Sequence, residues 1–88
     1  MTTKVSVLVL YFAKSADLTG LKSEVIHVQP ELTTLALWQE LVNRHSRLSA
    51  VREQIVLAVS QEYVTIGCQL VSLKNGDEVA VIPPLSGG

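Results

Sequence analysis

The first apolar run, "KVSVLVLYFA" (residues 4–13), is rich in β-branched and aromatic residues and apolar on both alternating faces. Val5, Val7, Val9 and Tyr11 lie on one side, and Leu8, Leu10 and Phe12 on the other. Two-sided patterning of this kind predicts a central strand. A polar stretch closes at Gly20, and "SEVIHVQ" then alternates from Val25 and either Ile26 or His27 up to Pro30, a second strand hairpin-paired with the first. In "TTLALWQELVNRHS", Leu35, Trp38, Leu41, Val42 and His45 recur at helical spacing, and Thr33 or Thr34 can cap the first turn. One amphipathic helix of about three turns is predicted there. After a polar connection containing Leu48 and Val51, "QIVLAVSQEYV" predicts a third strand that turns at Gln61 and Glu62 into a short fourth. "KNGD" then supplies Asn75 and Gly76, residue types suited to a tight turn with positive φ, and introduces a last strand, "EVAVI".

Strand, strand, helix, strand, short strand, strand is an α+β order that several folds satisfy. The compact solution in 88 residues is the β-grasp fold of ubiquitin-like proteins: a mixed sheet of four to five strands, one main helix, and a last strand lying centrally beside the first. A buried last strand gives the closing "PPLSGG" a meaning. Pro83 has no amide hydrogen to continue a ladder, and Pro84 restricts Pro83 to extended backbone, so the chain is pushed out of the fold. The expected division is a β-grasp domain over residues 1–84 and a flexible, reactive tail over residues 85–88.

Composition narrows the function classes. Hydrophobic residues make up 48% and charged residues 17%, enough apolar content to fill one small core. Seven basic residues are scattered singly through a chain of net charge -1, so no positive stripe is available for phosphates, and no nucleic-acid partner is expected. The lone Cys68 excludes an internal disulfide and a multi-thiolate metal site. The apolar segment of residues 5–13 is bounded by Lys14 and Asp17 and is too short to cross a bilayer. A soluble intracellular protein with no membrane partner is the resulting expectation.

Candidate chemistry is sparse within the domain. His27 falls on a strand and His45 at a helix end, with no serine or cysteine in a nucleophile motif to join them. His45 is placed to meet the negative end of the helix dipole. Cys68 reads as a small buried hydrophobe, Trp38 as core, and the carboxylates as a solvated surface. Gly67 and Gly76 stand alone and form neither a phosphate loop nor a dinucleotide fingerprint. The tail remains. Residues 85–88 fully extended reach about 14 Å, far enough to enter a narrow channel on a partner, and glycine can follow such a channel because it lacks a side chain. The terminal Gly88 carboxylate is unreactive as it stands. Activation by an ATP-dependent partner would make an acyl-adenylate at an unhindered glycyl carbon, and attack by sulfur would leave a C-terminal thiocarboxylate, ionised and polarisable as reactive thiolates are.

These residues carry a resemblance. "LKNGDEVAVIPPLSGG" (residues 73–88), with "YFAKSADLTG" (residues 11–20) and "AVSQEYV" (residues 58–64), closely resembles the sulfur-carrier small subunit family of molybdopterin synthase. The three stretches cover well over a third of the chain in the right order. The resemblance implies a non-catalytic carrier, in cytosol, with no permanently bound cofactor and no metal. It implies that ATP is consumed by a ubiquitin-activating-like adenylyltransferase and sulfurtransferase partner, passing through a transient acyl-adenylate on Gly88. It further implies a heterotetramer with the large catalytic subunit, where the thiocarboxylate gives sulfur to cyclic pyranopterin monophosphate to build the dithiolene. Carried over by position, Gly88 is the reactive end, and Gly87, Ser86, Leu85, Pro84 and Pro83 form the docking tail. Val81, Ile82 and Phe12 are candidates for a hydrophobic surface used with both partners. Many bacterial members carry arginine and glutamate where this chain has Ala16 and Asp17, so no binding role passes to Ala16. Two other readings share the closing glycines: a carrier for thiamine thiazole or tRNA thiolation or a protein modifier, and a passive interaction module with an idle tail. The "GDEVAVIPP" context favours the molybdopterin member, thiazole carriers tending to be shorter.

Overall fold

The structure, a computed structural model, describes residues 3–83, the side chains of residues 52–54 excepted. Seven strands are described: β1 (Val5–Tyr11), β2 (Ser23–Val28), β3 (Glu31–Thr33), β4 (Val56–Val59), β5 (Glu62–Val64), β6 (Leu70–Ser72) and β7 (Asp77–Ile82). Helix α1 (Lys14–Thr19) interrupts the first connection, α2 (Thr34–Arg44) crosses the sheet, and a 3₁₀ segment (Ser46–Gln54) leads into β4. The main sheet has the order β2-β1-β7-β4-β5, and β3 pairs with β6 in a small second sheet. Only the β1–β7 pairing is parallel within the main sheet, with Tyr11 opposite Val81. The last strand is therefore central, as its apolar run requires, and the fold is the mixed-sheet β-grasp.

The alternation along each strand sorts side chains onto two faces. Val7, Val9 and Tyr11 of β1, Ile26 and Val28 of β2, Leu57 and Val59 of β4, and Val79 and Val81 of β7 are buried on one face. They form one core with Leu37, Trp38 and Leu41 of α2 and with Leu48 and Val51 of the 3₁₀ segment. In β2 it is thus Ile26 and Val28 that point inward, leaving Val25 and His27 exposed. In α2 the buried row is Thr34, Leu37, Trp38 and Leu41, so Leu35 and Val42 sit at its margins.

Local chemistry explains the ends of these elements. Thr33 is the cap of α2: its side chain accepts a bond from the Ala36 amide at 3.0 Å. The neighbouring Thr34 hydroxyl is engaged elsewhere, donating toward the carbonyls of Thr65 (2.6 Å) and Gly67 and accepting from the Gly67 amide (2.7 Å). It ties the loop between β5 and β6 to the start of the helix. Ser60 and Gln61, both at positive φ, form the two-residue turn between β4 and β5, the backbone sign that matches strand twist in tight hairpins. The turn thus lies one residue earlier than Gln61 and Glu62. Before β7, Gly76 has φ +90°, whereas Asn75 contributes through its side chain, which accepts from the Ser6 amide at 2.8 Å.

Two further expectations are corrected. The polar stretch before Gly20 contains helix α1, ended by Gly20 at φ +74°, whose amide donates to the Ala16 carbonyl at 2.8 Å. Cys68 is exposed rather than buried, because it lies in the loop that Thr34 anchors through the neighbouring Gly67.

Candidate functional site

Phe12, Val81, Ile82 and Pro83 meet where the chain leaves β7. Val56 opposite Ile82 is the last pairing of β7 with β4, and the strand stops before Pro83. On the other side, β1 stops at Tyr11, and the Phe12 amide still donates to the Val81 carbonyl at 3.3 Å. Phe12 and Ile82 consequently flank the exit. Phe12 is 47% exposed, unusual for a large aromatic residue, and Ile82 is half-buried.

Val81 does not share that surface. Its side chain is 0% exposed and belongs to the core, because a period of two turns Val79 and Val81 inward and Ala80 and Ile82 outward. Assigning Val81 to a docking surface is therefore corrected: it anchors the strand, and Ile82 is the outward residue. The same outward face carries half-buried Leu8, Leu10, Val56 and Ala58, with Tyr63 exposed at its edge. No helix described in the chain packs its buried row there, since α2 contributes to the opposite core. Pro83 is half-buried at the exit, and Pro84, Leu85, Ser86, Gly87 and Gly88 lie outside the described residues.

A turn that sequence patterns did not reveal builds the other wall of the exit. Ala13 stands at φ 52°, ψ -125°, a left-handed-side conformation that an L side chain rarely adopts, and it starts α1 without any side-chain cap. The turn brings Ser15 inward, where it is fully buried. The Ser15 hydroxyl accepts from the Phe12 amide at 3.0 Å and lies 2.6 Å from the Phe12 carbonyl and 3.2 Å from the Val81 carbonyl. A serine inside a short polar stretch gives no hydropathy signal, which is why its burial was not foreseen.

A polar cluster sits on the core side of the β1–β2 hairpin. The Tyr11 hydroxyl donates to Glu24 Oε2 at 2.5 Å, and His45 Nε2 lies 2.6 Å from the same oxygen. The Tyr11 and His45 rings meet edge to face at 5.7 Å. Burial, then the hydrogen bond to Glu24 and its charge, push the Tyr11 phenol well above its ordinary pKa, with Arg44 pulling weakly the other way. His45 also closes α2 through its backbone amide, which donates to the Leu41 carbonyl at 2.9 Å. This cluster joins the hairpin to the end of the helix, while His27 stands apart and exposed. Among the described residues, no three His, Cys, Asp or Glu side chains converge as a metal site. No helix among them is long and apolar enough to cross a membrane.

A central parallel last strand, one crossing helix and an apolar exit define a ubiquitin-like β-grasp protein. The chain belongs to the ThiS family, whose model matches residues 9–88, and its relatives place it among the molybdopterin synthase sulfur carrier subunits. It is 59% identical over 80 residues to the "Molybdopterin synthase sulfur carrier subunit" of Homo sapiens, covering 91% of each chain. It is 39% identical to the protein of the same description from Drosophila simulans, covering 96% of this chain and 92% of the relative. Among solved structures, SAMP1 from Haloferax volcanii superposes with a TM-score of 0.76 at 27% identity, over 94% of this chain and 99% of that one. The fold also matches a chain in the complex of subunits 1 and 2 of molybdopterin-converting factor from Helicobacter pylori, with TM-score 0.65 at 18% identity, over 96% and 100% of the two chains.

Proposed function

We propose that this chain is the sulfur carrier of a molybdopterin synthase, with Gly88 as the acyl group that is loaded and unloaded. The observation that carries the reading is the exit from β7. A strand locked centrally in the sheet by buried Val79 and Val81 stops at a proline, beside exposed Phe12, and the family match runs through the closing glycine pair. In the proposed cycle, a Gly88 carboxylate oxygen attacks the α-phosphorus of ATP in an adenylyltransferase partner, and pyrophosphate leaves. The terminal sulfur of a sulfurtransferase persulfide then displaces AMP, and a thiol cleaves the resulting acyl disulfide, leaving as a disulfide with the sulfurtransferase sulfur and releasing the thiocarboxylate. In the large synthase subunit, that sulfur passes to cyclic pyranopterin monophosphate, water restores the carboxylate oxygen, and two deliveries complete the dithiolene.

The carrier itself supplies a rigid handle and an unhindered acyl carbon, and the catalytic groups belong to the partners. The outward sheet face around Phe12 and Ile82 is the docking surface in this reading. Its apolar character suits partners that bind in turn, since burial is non-directional and needs no matched charges. The names borne by the relatives favour the molybdopterin member over a thiazole carrier or a modifier. A cytosolic setting, where ATP and the activating partner are available, completes the proposal.

Appending one residue after Gly88 tests the assignment. The extended chain is expected to keep its fold and thermal midpoint while losing sulfur transfer altogether, because the acyl group is displaced from the end. Full activity in the extended chain would refute it.

A further inference from the structure

We propose that Ser15 is a positioning residue that fixes the direction in which the chain leaves β7, and so the presentation of the C-terminal segment to its partners; this rests on the carrier reading above. Ser15 and Thr34 are the two buried polar residues of the described chain. Thr34 is accounted for by the loop it holds. The Ser15 bonds converge instead on the exit: its oxygen lies within 3.2 Å of the Phe12 amide, the Phe12 carbonyl and the Val81 carbonyl.

The geometry makes Ser15 a clamp between two strand ends. A hydroxyl has one proton and two lone pairs, so Ser15 accepts from the Phe12 amide and shares its proton between the Phe12 and Val81 carbonyls, favouring the nearer. The Phe12 amide is in turn shared with the Val81 carbonyl at 3.3 Å. Val81 is the last buried residue before the exit, and two residues later Pro83 has no amide hydrogen to offer. Beyond the Tyr11–Val81 pairing, the Phe12 amide and the Ser15 hydroxyl, both bonded to the Val81 carbonyl, hold the β1 side of β7 where the chain turns outward. The positive φ of Ala13 makes this possible by folding Ser15 back under Phe12, the Ser15 amide also donating to the Phe12 carbonyl at 3.1 Å.

Loosening the clamp frees the end of β7 at Val81, Ile82 and Pro83 from the β1 side, which lowers the fraction of encounters in which the carrier is seated on its partner. The chemistry that follows seating is unaffected. For the full chain carrying Ser15→Ala, the KM for carrier in the adenylation step is expected to rise about fivefold, the factor that one net buried hydrogen bond supports, with kcat unchanged. Ser15→Thr, which keeps the hydroxyl, is expected to restore the native KM. Hydrogen exchange of the Phe12 amide, measured on the same samples, is expected to speed up in Ser15→Ala and to return in Ser15→Thr. Should Ser15→Ala not fold, Ser15→Cys, close in volume but a weak donor, takes its place in both measurements. A native KM with an intact fold overturns the proposal, as does unchanged Phe12 exchange. If the unsubstituted chain is not adenylated at all, the carrier reading fails, and with it the claim of presentation to partners, while Phe12 exchange still decides whether Ser15 clamps the strand.

Discussion

Ala13 is a place where a glycine should make the protein more stable, and the sign of that change is diagnostic. At φ 52° and ψ -125° the Cβ of an alanine crowds its own backbone, at a cost on the order of 1–3 kcal/mol. Replacing it with glycine removes that strain and adds an unfolded-state entropy penalty of about 0.5–1 kcal/mol. Ala13 is exposed, so the loss of its methyl gives up little packing. The carbonyl of residue 13, which accepts from the Ala16 and Asp17 amides at 3.0 and 3.2 Å, is retained. The net expectation for Ala13→Gly is a gain of about 1 kcal/mol, or a rise of roughly 4–8 °C in Tm for a domain of this size. Urea titration with an unchanged m-value, together with calorimetry, would measure it. Ala36→Gly, in helix α2, is the control and should lose up to about 1 kcal/mol. A loss at position 13 as large as that at position 36 would refute the strained turn, and with it the route by which Ser15 reaches the exit.

Three further outcomes follow from the geometry. Val81→Ala should cost about 2 kcal/mol because it empties a fully buried site, whereas Phe12→Ala should cost about 1 kcal/mol or less yet weaken binding to the large synthase subunit; titration of the folded variants checks both, and unchanged binding by Phe12→Ala would remove it from the docking surface. The raised Tyr11 pKa means that the folded chain keeps a proton the unfolded chain releases near pH 10, so this contribution to stability is complete below about pH 10 and falls as pH rises beyond it. In a Tyr63→Phe background, tyrosinate absorbance should therefore appear only with alkaline unfolding, and its appearance near pH 10 in the folded chain would contradict the Glu24 cluster. The exposed Cys68 thiol should alkylate in the native state without changing sulfur transfer; protection from reagent would show that its loop is covered.

The elements that were legible are those whose burial follows a regular period. The two-sided run of β1, the inward alternation of β7 and the Trp38 stripe of α2 each buries enough apolar surface to decide local structure from pattern alone. The central placement of β7 came with the β-grasp assignment, and Pro83, which has no amide hydrogen, stands where the ladder ends. Elements held by specific hydrogen bonds were not legible. Helix α1 has one buried residue, and that residue is Ser15, whose partners come from Phe12 and from Val81, sixty-six positions away. The β3–β6 pair has three residues per strand, too few for a period to register. The β4–β5 turn uses Ser60 and Gln61 where asparagine and glycine would have announced positive φ. At the candidate site, the reading of residues 83–88 as the outgoing tail came from sequence. The division between Val81 inward and Ile82 outward needed the register against β1 and β4.

The central claim is that Gly88 is loaded with sulfur. Intact-mass measurement of the full chain after incubation with an active ubiquitin-activating-like enzyme, ATP and a sulfur source addresses it directly. The account predicts a single mass gain equal to the exchange of one oxygen for sulfur, localised by fragmentation to Gly88 and absent when ATP is withheld. An unchanged mass, with an enzyme shown to be active on its own carrier, would contradict it.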